Sequence, residues 1–378
     1  MRRLLVSLSV ILLTACTGAP ATVGTQDEPR VTLTWLSVTN WLLEAGDTRI
    51  LLDGYVSRID RRTVEADGTS TVSAPLDEPS VRRVHDVILP AGGLDWILVG
   101  HTHWDHAFDT PAWARLTGAR IGGARTVCHQ LTAFGVGGDR CMPLEGGEQF
   151  EAGPGVQVRV VRWHHSGDSA SANGRRLRAP LELRAPPPTD ARTGGLRPGF
   201  LEDYPNGGGA RAYLITIEAA DGPVTLLWSN TGNPQAWDTP VPADSVFMRE
   251  QGVDLTNLEW ASSDQPTREH LATALQEEGL TAVDVWIGFG GDEHHVQQVV
   301  SVLQPRTFVP HHWDDFWSPM RDGVRQGFRG AGVAPVLGGS GIQLLTPGNY
   351  FDRVVVTASG AALADGDATR RALGVGLR

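Results

Sequence analysis

The sequence contains no lysine, and all 32 of its basic residues are arginine. Against 43 acidic residues this leaves a net charge of −11, with no basic block anywhere along the chain. Nucleic acid is therefore not an expected partner. The missing lysine reflects genome composition rather than function. Cysteine is almost as scarce, with three in 378 residues. A cysteine-rich structural metal site is excluded. Beyond residue 13 no apolar run is long enough to cross a bilayer. What remains is 41% hydrophobic and 20% charged, an ordinary globular balance for one large domain.

The N-terminus reads as an export signal. Arg2-Arg3 precedes an apolar stretch, Leu4 to Leu13. At about ten residues it suits a secretory signal and is too short for a permanent span. Leu13-Thr14-Ala15-Cys16 follows and resembles a bacterial lipobox. The reading is a signal peptide over 1–15, lipidation at Cys16 and a small, polar tether over 16–30. It implies a lipid-anchored protein of the cell envelope, in the periplasm. In that oxidising setting Cys128 and Cys141 could form a disulfide, or Cys128 could be a buried small hydrophobe in a helix.

Strand and helix patterns then alternate. Val31 to Leu36, Arg49 to Asp53, Trp96 to Gly100, Val156 to Trp163, Ala212 to Ile217, Val224 to Trp228, Val283 to Gly288 and Arg306 to Pro310 read as strands. Thr110 to Leu116, Arg268 to Glu278 and Glu293 to Leu303 read as helices. This alternation argues a layered α/β fold. Arg58 to Pro79 reads as a polar surface excursion. Asp168 to Gly209 is rich in proline and glycine, with Ala185-Pro-Pro-Pro188 and Gly207-Gly-Gly209. An insertion this long is expected to form a lid or loop beside a site.

The informative stretch is His101-Thr-His-Trp-Asp-His106, placed after the apolar strand Trp96 to Val99. Imidazole and carboxylate donors spaced H-x-H-x-D-H can converge on one loop and suit zinc and similar divalent ions. On this motif and those below, the chain resembles the metallo-β-lactamase-fold metal-dependent hydrolases, in the branch of lactonases and N-acyl-phosphatidylethanolamine phospholipase D. The resemblance spans residues 31–350 and leaves 351–378 as a C-terminal extension. It implies a four-layer αββα sandwich of the α/β class. It implies that His101 and His103 bind one metal and that Asp105 and His106 bind the other, while Asp53 orients a ligand from behind. In Trp163-His164-His165-Ser166-Gly167 the family spacing selects His164 as a ligand. In Pro310-His311-His312-Trp313 it selects His312.

One position departs. Where the family carries an aspartate that bridges two metals, this chain has Asn230, after the strand Val224 to Trp228. An amide is neutral and bridges poorly. The expectation is one or two zinc ions, with manganese or iron as alternatives. The implied activity is hydrolysis of an ester, lactone or phosphodiester by water activated on the metal. Asp105 would orient the nucleophile, and His165 and His311 are the candidates for the leaving-group proton. The substrate would be a small molecule or lipid-like. The rival reading is a lipid-anchored binding protein on a degenerate scaffold, with one metal or none, motivated by Asn230. The run Gly291-Asp-Glu-His-His295 looks metal-like but opens a helix, where acidic residues serve as caps. His85, His129 and His270 lack a partner pattern. Trp104, Trp163, Trp228, Trp313 and Trp317 adjoin the motifs and could wall an apolar pocket.

Overall fold

The computed structural model describes residues 31–376 apart from 67, 91, 166–178, 233, 242–244 and 251. The expected signal peptide, tether and Cys16, together with Ser166-Gly167 and the first part of the insertion, lie outside the described residues.

The first half of the chain builds β1 (Val31–Ser37), β2 (Asn40–Ala45), β3 (Thr48–Leu52), β4 (Trp96–Leu98), β5 (Arg120–Gly123) and β6 (Cys141–Pro143). The second builds β7 (Gln149–Gly153), β8 (Val156–Trp163), β9 (Leu181–Leu183), β10 (Ala210–Ala219), β11 (Gly222–Ser229), β12 (Leu258–Trp260), β13 (Val285–Phe289), β14 (Thr307–His311) and β15 (Gln343–Leu344). β16 (Arg353–Thr357) and β17 (Gly360–Ala364) close the strand list. One eight-stranded sheet runs β17-β16-β1-β2-β3-β4-β5-β6, and a seven-stranded sheet runs β15-β14-β13-β11-β10-β8-β7.

Side-chain alternation shows how the sheets stack. On β8, Val156, Val158 and Val160 join the core shared with Leu33, Leu43, Ile50 and Ile97 of the first sheet. Val161 and Trp163 join a separate cluster with Leu271, Leu275, Val296, Val299 and Leu303 of two helices, Thr267–Glu277 and Glu293–Leu303. β10 divides the same way, with Tyr213, Ile215 and Ile217 on one face and Ala212 and Leu214 on the other. The second sheet is thus covered on both faces, which is why its central strands β11 and β13 are buried along nearly their whole length. Helices Glu78–Ile88, Thr110–Thr117 and Arg125–Ala133 cover the first sheet with Val81, Val84, Trp113, Val127 and Leu131. The layers are therefore helix, sheet, sheet, helix.

Residues 351–376 are not an appendage. β16 pairs with β1 one strand in from the edge of the first sheet, and the Phe351 amide donates to the Trp35 carbonyl at 2.6 Å. The described part of the insertion is ordered as well. β9 pairs with β12, and Leu196 and Tyr204 pack with Trp104 and Phe108. Buried Arg211 ties its end down, donating to the carbonyls of Leu144, Gly207 and Gly209 at 2.8, 2.7 and 3.1 Å. Cys128 and Cys141 are joined in a disulfide that links the third of these helices to β6. Asp292 caps its helix by accepting from the His295 amide at 2.9 Å.

Candidate metal centre

β3, β4 and β5 run parallel, as do β11, β13 and β14. β8 is antiparallel to β10, and β10 to β11, so β8 ends on the same side as β11. Asp53, residues 101–106, His165, Asn230 and His312 all follow the C-terminal ends of these strands. They meet at one edge of the sandwich.

Two groups of donors form there. His101, His103 and His165 present ring nitrogens within 4.8 Å of one another, as do the donor atoms of Asp105, His106 and His312. The groups adjoin, with the His101 and His106 ring centroids 4.0 Å apart. Burial lowers the pKa of His101, and His106, His103 and His165 lower it further. That imidazole is neutral, as a ligand must be. Burial alone would raise the Asp105 carboxyl; the imidazoles of His106, His312 and His103 outweigh it and hold the group below the usual carboxylate range. Five imidazoles and one carboxylate, nearly all buried, suit zinc or a similar divalent ion.

A second layer holds these donors in place. Asp53 Oδ2 lies 2.8 Å from His106 Nδ1 and accepts from the Thr39 hydroxyl at 2.6 Å. Its Oδ1 accepts from the Gly100 amide at 2.9 Å. Since the Asp53 carboxylate only accepts, the Asn230 atom 2.8 Å from it is the NH₂ group. The Asn230 oxygen therefore faces His101 Nδ1, 3.0 Å away. That leaves His101 Nε2 directed at His103 Nδ1, 3.1 Å distant. Asn230 thus spans an orienting aspartate and a candidate ligand, and the second donor group is formed without it. Gly100 makes this arrangement possible, because a Cβ there would come within 2.4 Å of the Asn230 amide. Asp53 and His312 both occupy the left-handed region, at φ 54° and 60°. Non-glycine residues are held there only when their surroundings fix them.

No family model matches the chain. Among curated proteins it is similar to a UPF0173 metal-dependent hydrolase of Pyrobaculum islandicum, 24% identical over 140 residues, covering 37% of this chain and 53% of the relative. A second, from Pyrobaculum calidifontis, is 21% identical over the same shares. The chain spans about half the length of the curated relatives it matches, 53%. Solved structures similar to it include Igni18, a metallo hydrolase of Ignicoccus hospitalis, at TM-score 0.47 and 14% identity over 87% of this chain and 99% of that one. Another is the metallo-β-lactamase fold protein YhfI of Bacillus subtilis, at TM-score 0.44 and 10% identity over 86% and 100%. An isothiocyanate hydrolase from Delia radicum gut bacteria gives TM-score 0.45 and 13% identity over 86% and 100%. The chain is a helix–sheet–sheet–helix sandwich with two donor groups at one edge, and over part of its length it is similar to metal-dependent hydrolases.

Within that fold one expected ligand moves by one residue and one expected proton donor drops out. His165, not His164, stands with His101 and His103, at ring centroids of 4.8 and 4.9 Å. His164 turns to the helix Thr267–Glu277, its Nδ1 2.8 Å from the Thr267 hydroxyl and its ring 6.1 Å from His270. β8 ends at Trp163, so strand alternation no longer decides which of the two histidines faces the site. His311, a candidate proton donor, is buried away from the donor groups. Its Nδ1 accepts from Trp41 Nε1 at 3.1 Å, and its Nε2 donates to the Ser229 carbonyl at 3.0 Å. With both nitrogens committed it cannot donate to a leaving group. His312 leaves the strand end in its left-handed conformation, and its Nε2 lies 3.4 Å from Asp105 Oδ2.

Sequence reasoning missed three contributors. Thr39 sits between Asp53 and His106. Asp109, three residues past the motif, pins the loop after Asp53 by accepting from the Val56 and Ser57 amides at 2.7 and 2.8 Å. Half-buried Phe200, from the insertion, stacks on His103 at 4.2 Å. The spacing His106-x-x-Asp109 could have flagged Asp109; nothing local marks Phe200. Of the five tryptophans, Trp163 and Trp228 are core residues whose indoles donate to the carbonyls of Thr231 and Thr39. Trp313 packs on Trp35, and Trp104 stacks with Trp317 behind the motif helix.

Proposed function

We propose that this protein is a metal-dependent hydrolase of small-molecule or lipid-like esters, lactones or phosphodiesters. One observation carries the reading: two complete donor groups, His101/His103/His165 and Asp105/His106/His312, side by side at one strand edge. A bound divalent ion supplies Lewis acidity and lowers the pKa of a coordinated water toward about 7. Asp53 and Asn230 fix the rings of His106 and His101, so the donors are organised before any ion arrives. Asp105, beside both His106 and His312, is placed to orient the attacking water. His312, with a side chain 20% exposed, is the most solvent-accessible of the donors and would meet an entering substrate first. The completeness of both groups speaks for catalysis over a binding protein that has lost its metal.

The test is turnover by the mature chain, loaded with zinc, on a panel of nitrophenyl esters, lactones and bis-nitrophenyl phosphate. One class should be hydrolysed, chelation should abolish the activity, and Asp105→Asn should lower kcat by roughly a hundredfold or more. Turnover of no class, or turnover indifferent to both treatments, contradicts the reading.

The same reading places the protein in the cell envelope, anchored through Cys16 by the Leu13-Thr14-Ala15-Cys16 motif. Mass spectrometry of the membrane fraction should find a lipidated Cys16 at the mature N-terminus. A mature chain starting elsewhere with unmodified Cys16 rules the anchor out.

A further inference from the structure

On the helical side of the first sheet, away from both donor groups, lies a cavity of about 200 Å³. Three arginines line it, Arg58, Arg83 and Arg321, with Met320, Phe351 and Val375 among its apolar walls. In a chain of net charge −11 such a cluster of guanidinium groups stands out.

Arg58 is the decisive member. The sequence placed it at the start of a surface excursion, yet its side chain is 3% exposed. Its backbone sits in the left-handed region at φ 63°. Its Nη2 reaches Asp314 and the Tyr350 hydroxyl only at long range, 3.4 and 3.3 Å. Tyr55 and Tyr350 lie against the guanidinium at 5.3 and 5.7 Å to their centroids. Its Nε and Nη1 are buried with no hydrogen-bond partner among the described residues. Aromatic rings attract a cation through their faces but accept these N–H groups weakly. Asp314 forms a buried ion pair with Arg58 at 3.4 Å, and both its oxygens also accept from the Val38 amide at 3.0 and 3.2 Å. A buried guanidinium with orphaned donors is costly unless an acceptor reaches it.

We propose that this cavity binds a small organic anion, a carboxylate or phosphate head on a compact apolar body. Arg58, Arg83 and Arg321, which line the cavity, would supply the positive field for the head. Met320, Phe351 and Val375 would cover the body. The volume falls below the 300–1,000 Å³ usual for drug-sized ligands, so the occupant is small. The site is separate from the metal centre, since none of its lining residues belongs to either donor group.

Isothermal titration of the full mature chain with benzoate, phenyl phosphate and neutral benzyl alcohol tests this. At least one anion should bind saturably at one site per chain, with a Kd of about 1 mM or tighter. The preferred anion identifies the head group, and benzyl alcohol should not bind. Arg58→Gln and Arg83→Gln should each weaken binding about tenfold, and Val375→Trp, which fills the cavity, should abolish it. His103→Ala should leave the affinity unchanged, which separates this site from anion capture at the metal centre. If Arg58→Gln fails to fold, Arg83→Gln and Val375→Trp decide. The proposal is overturned if neither anion binds, if benzyl alcohol binds as tightly, if Val375→Trp has no effect, or if His103→Ala eliminates binding.

Discussion

The amide oxygen of Asn230 lies 3.0 Å from His101 Nδ1, while its NH₂ group donates to Asp53 at 2.8 Å. One neutral side chain therefore joins a candidate ligand to the aspartate that orients another. An aspartate at this position would set two carboxylates against each other and remove one of the donors to the Asp53 oxygen, which would keep the Thr39 hydroxyl. Asn230→Asp should destabilise the metal-free protein by roughly 1–3 kcal/mol. Added zinc should recover more stability in the variant than in wild type, because the new charge lies close to the cations. Thermal melts with and without zinc measure both effects. An unchanged metal-free Tm would mean that the Asn230 bridge carries no weight.

His295 is buried against Trp163, Trp237 and Trp286, and neither ring nitrogen has a hydrogen-bond partner among the described residues. Burial pushes its pKa down to about 4, with Asp292 opposing and His294 assisting. The unfolded-state value is about 6.5. Between these two values the unfolded chain binds more protons, so stability falls as pH drops through that window. Urea unfolding of His295→Leu should lose less stability between about pH 7 and pH 5 than wild type does, by about 2 kcal/mol. An identical pH dependence in the two proteins would show that His295 is not held neutral.

The disulfide between Cys128 and Cys141 closes a loop with a sequence separation of 13. Loops of this size are stabilised by about 3 kcal/mol in the chain-entropy model. The bond ties a helix to β6, an edge strand remote from the donor groups. Reduction, or Cys128→Ser with Cys141→Ser, should lower Tm while leaving metal content intact. A Tm that ignores reductant would show that the bond contributes nothing to stability.

The motif at residues 101–106, Asp53 and His312 were legible because donor spacing survives translation from sequence to space. The paired histidines were harder. At 164/165 and 311/312 the strand ends between or beside them, and the turn that follows decides which ring faces the site. At position 312 that turn is left-handed, which no apolar pattern announces. Phe200 was invisible because it reaches His103 across nearly a hundred residues. Arg58 was misplaced because charged residues are ordinarily read as surface. The last strands and helix were set aside as an extension because the pattern of Arg353–Thr357 does not reveal that β1 lacks a neighbour without it.

Phe200 stacks on His103 from the ordered end of the insertion. Phe200→Ala removes a wall beside a donor but no donor. It should raise KM about threefold to tenfold, the worth of one aromatic contact, with metal content unchanged. Unaltered kinetics on every substrate would reduce Phe200 to packing.

The most direct test of the centre is metal content after equilibration with dilute zinc and removal of free ion, read by inductively coupled plasma mass spectrometry. With both donor groups occupied, wild type should hold about two ions per chain. His165→Ala and His312→Ala should each fall to about one. His164→Ala and His311→Ala should keep the wild-type content, since those rings are engaged with Thr267, Trp41 and Ser229 instead. Loss of metal on replacing His164 or His311, with none on replacing His165 or His312, would contradict the account of this centre.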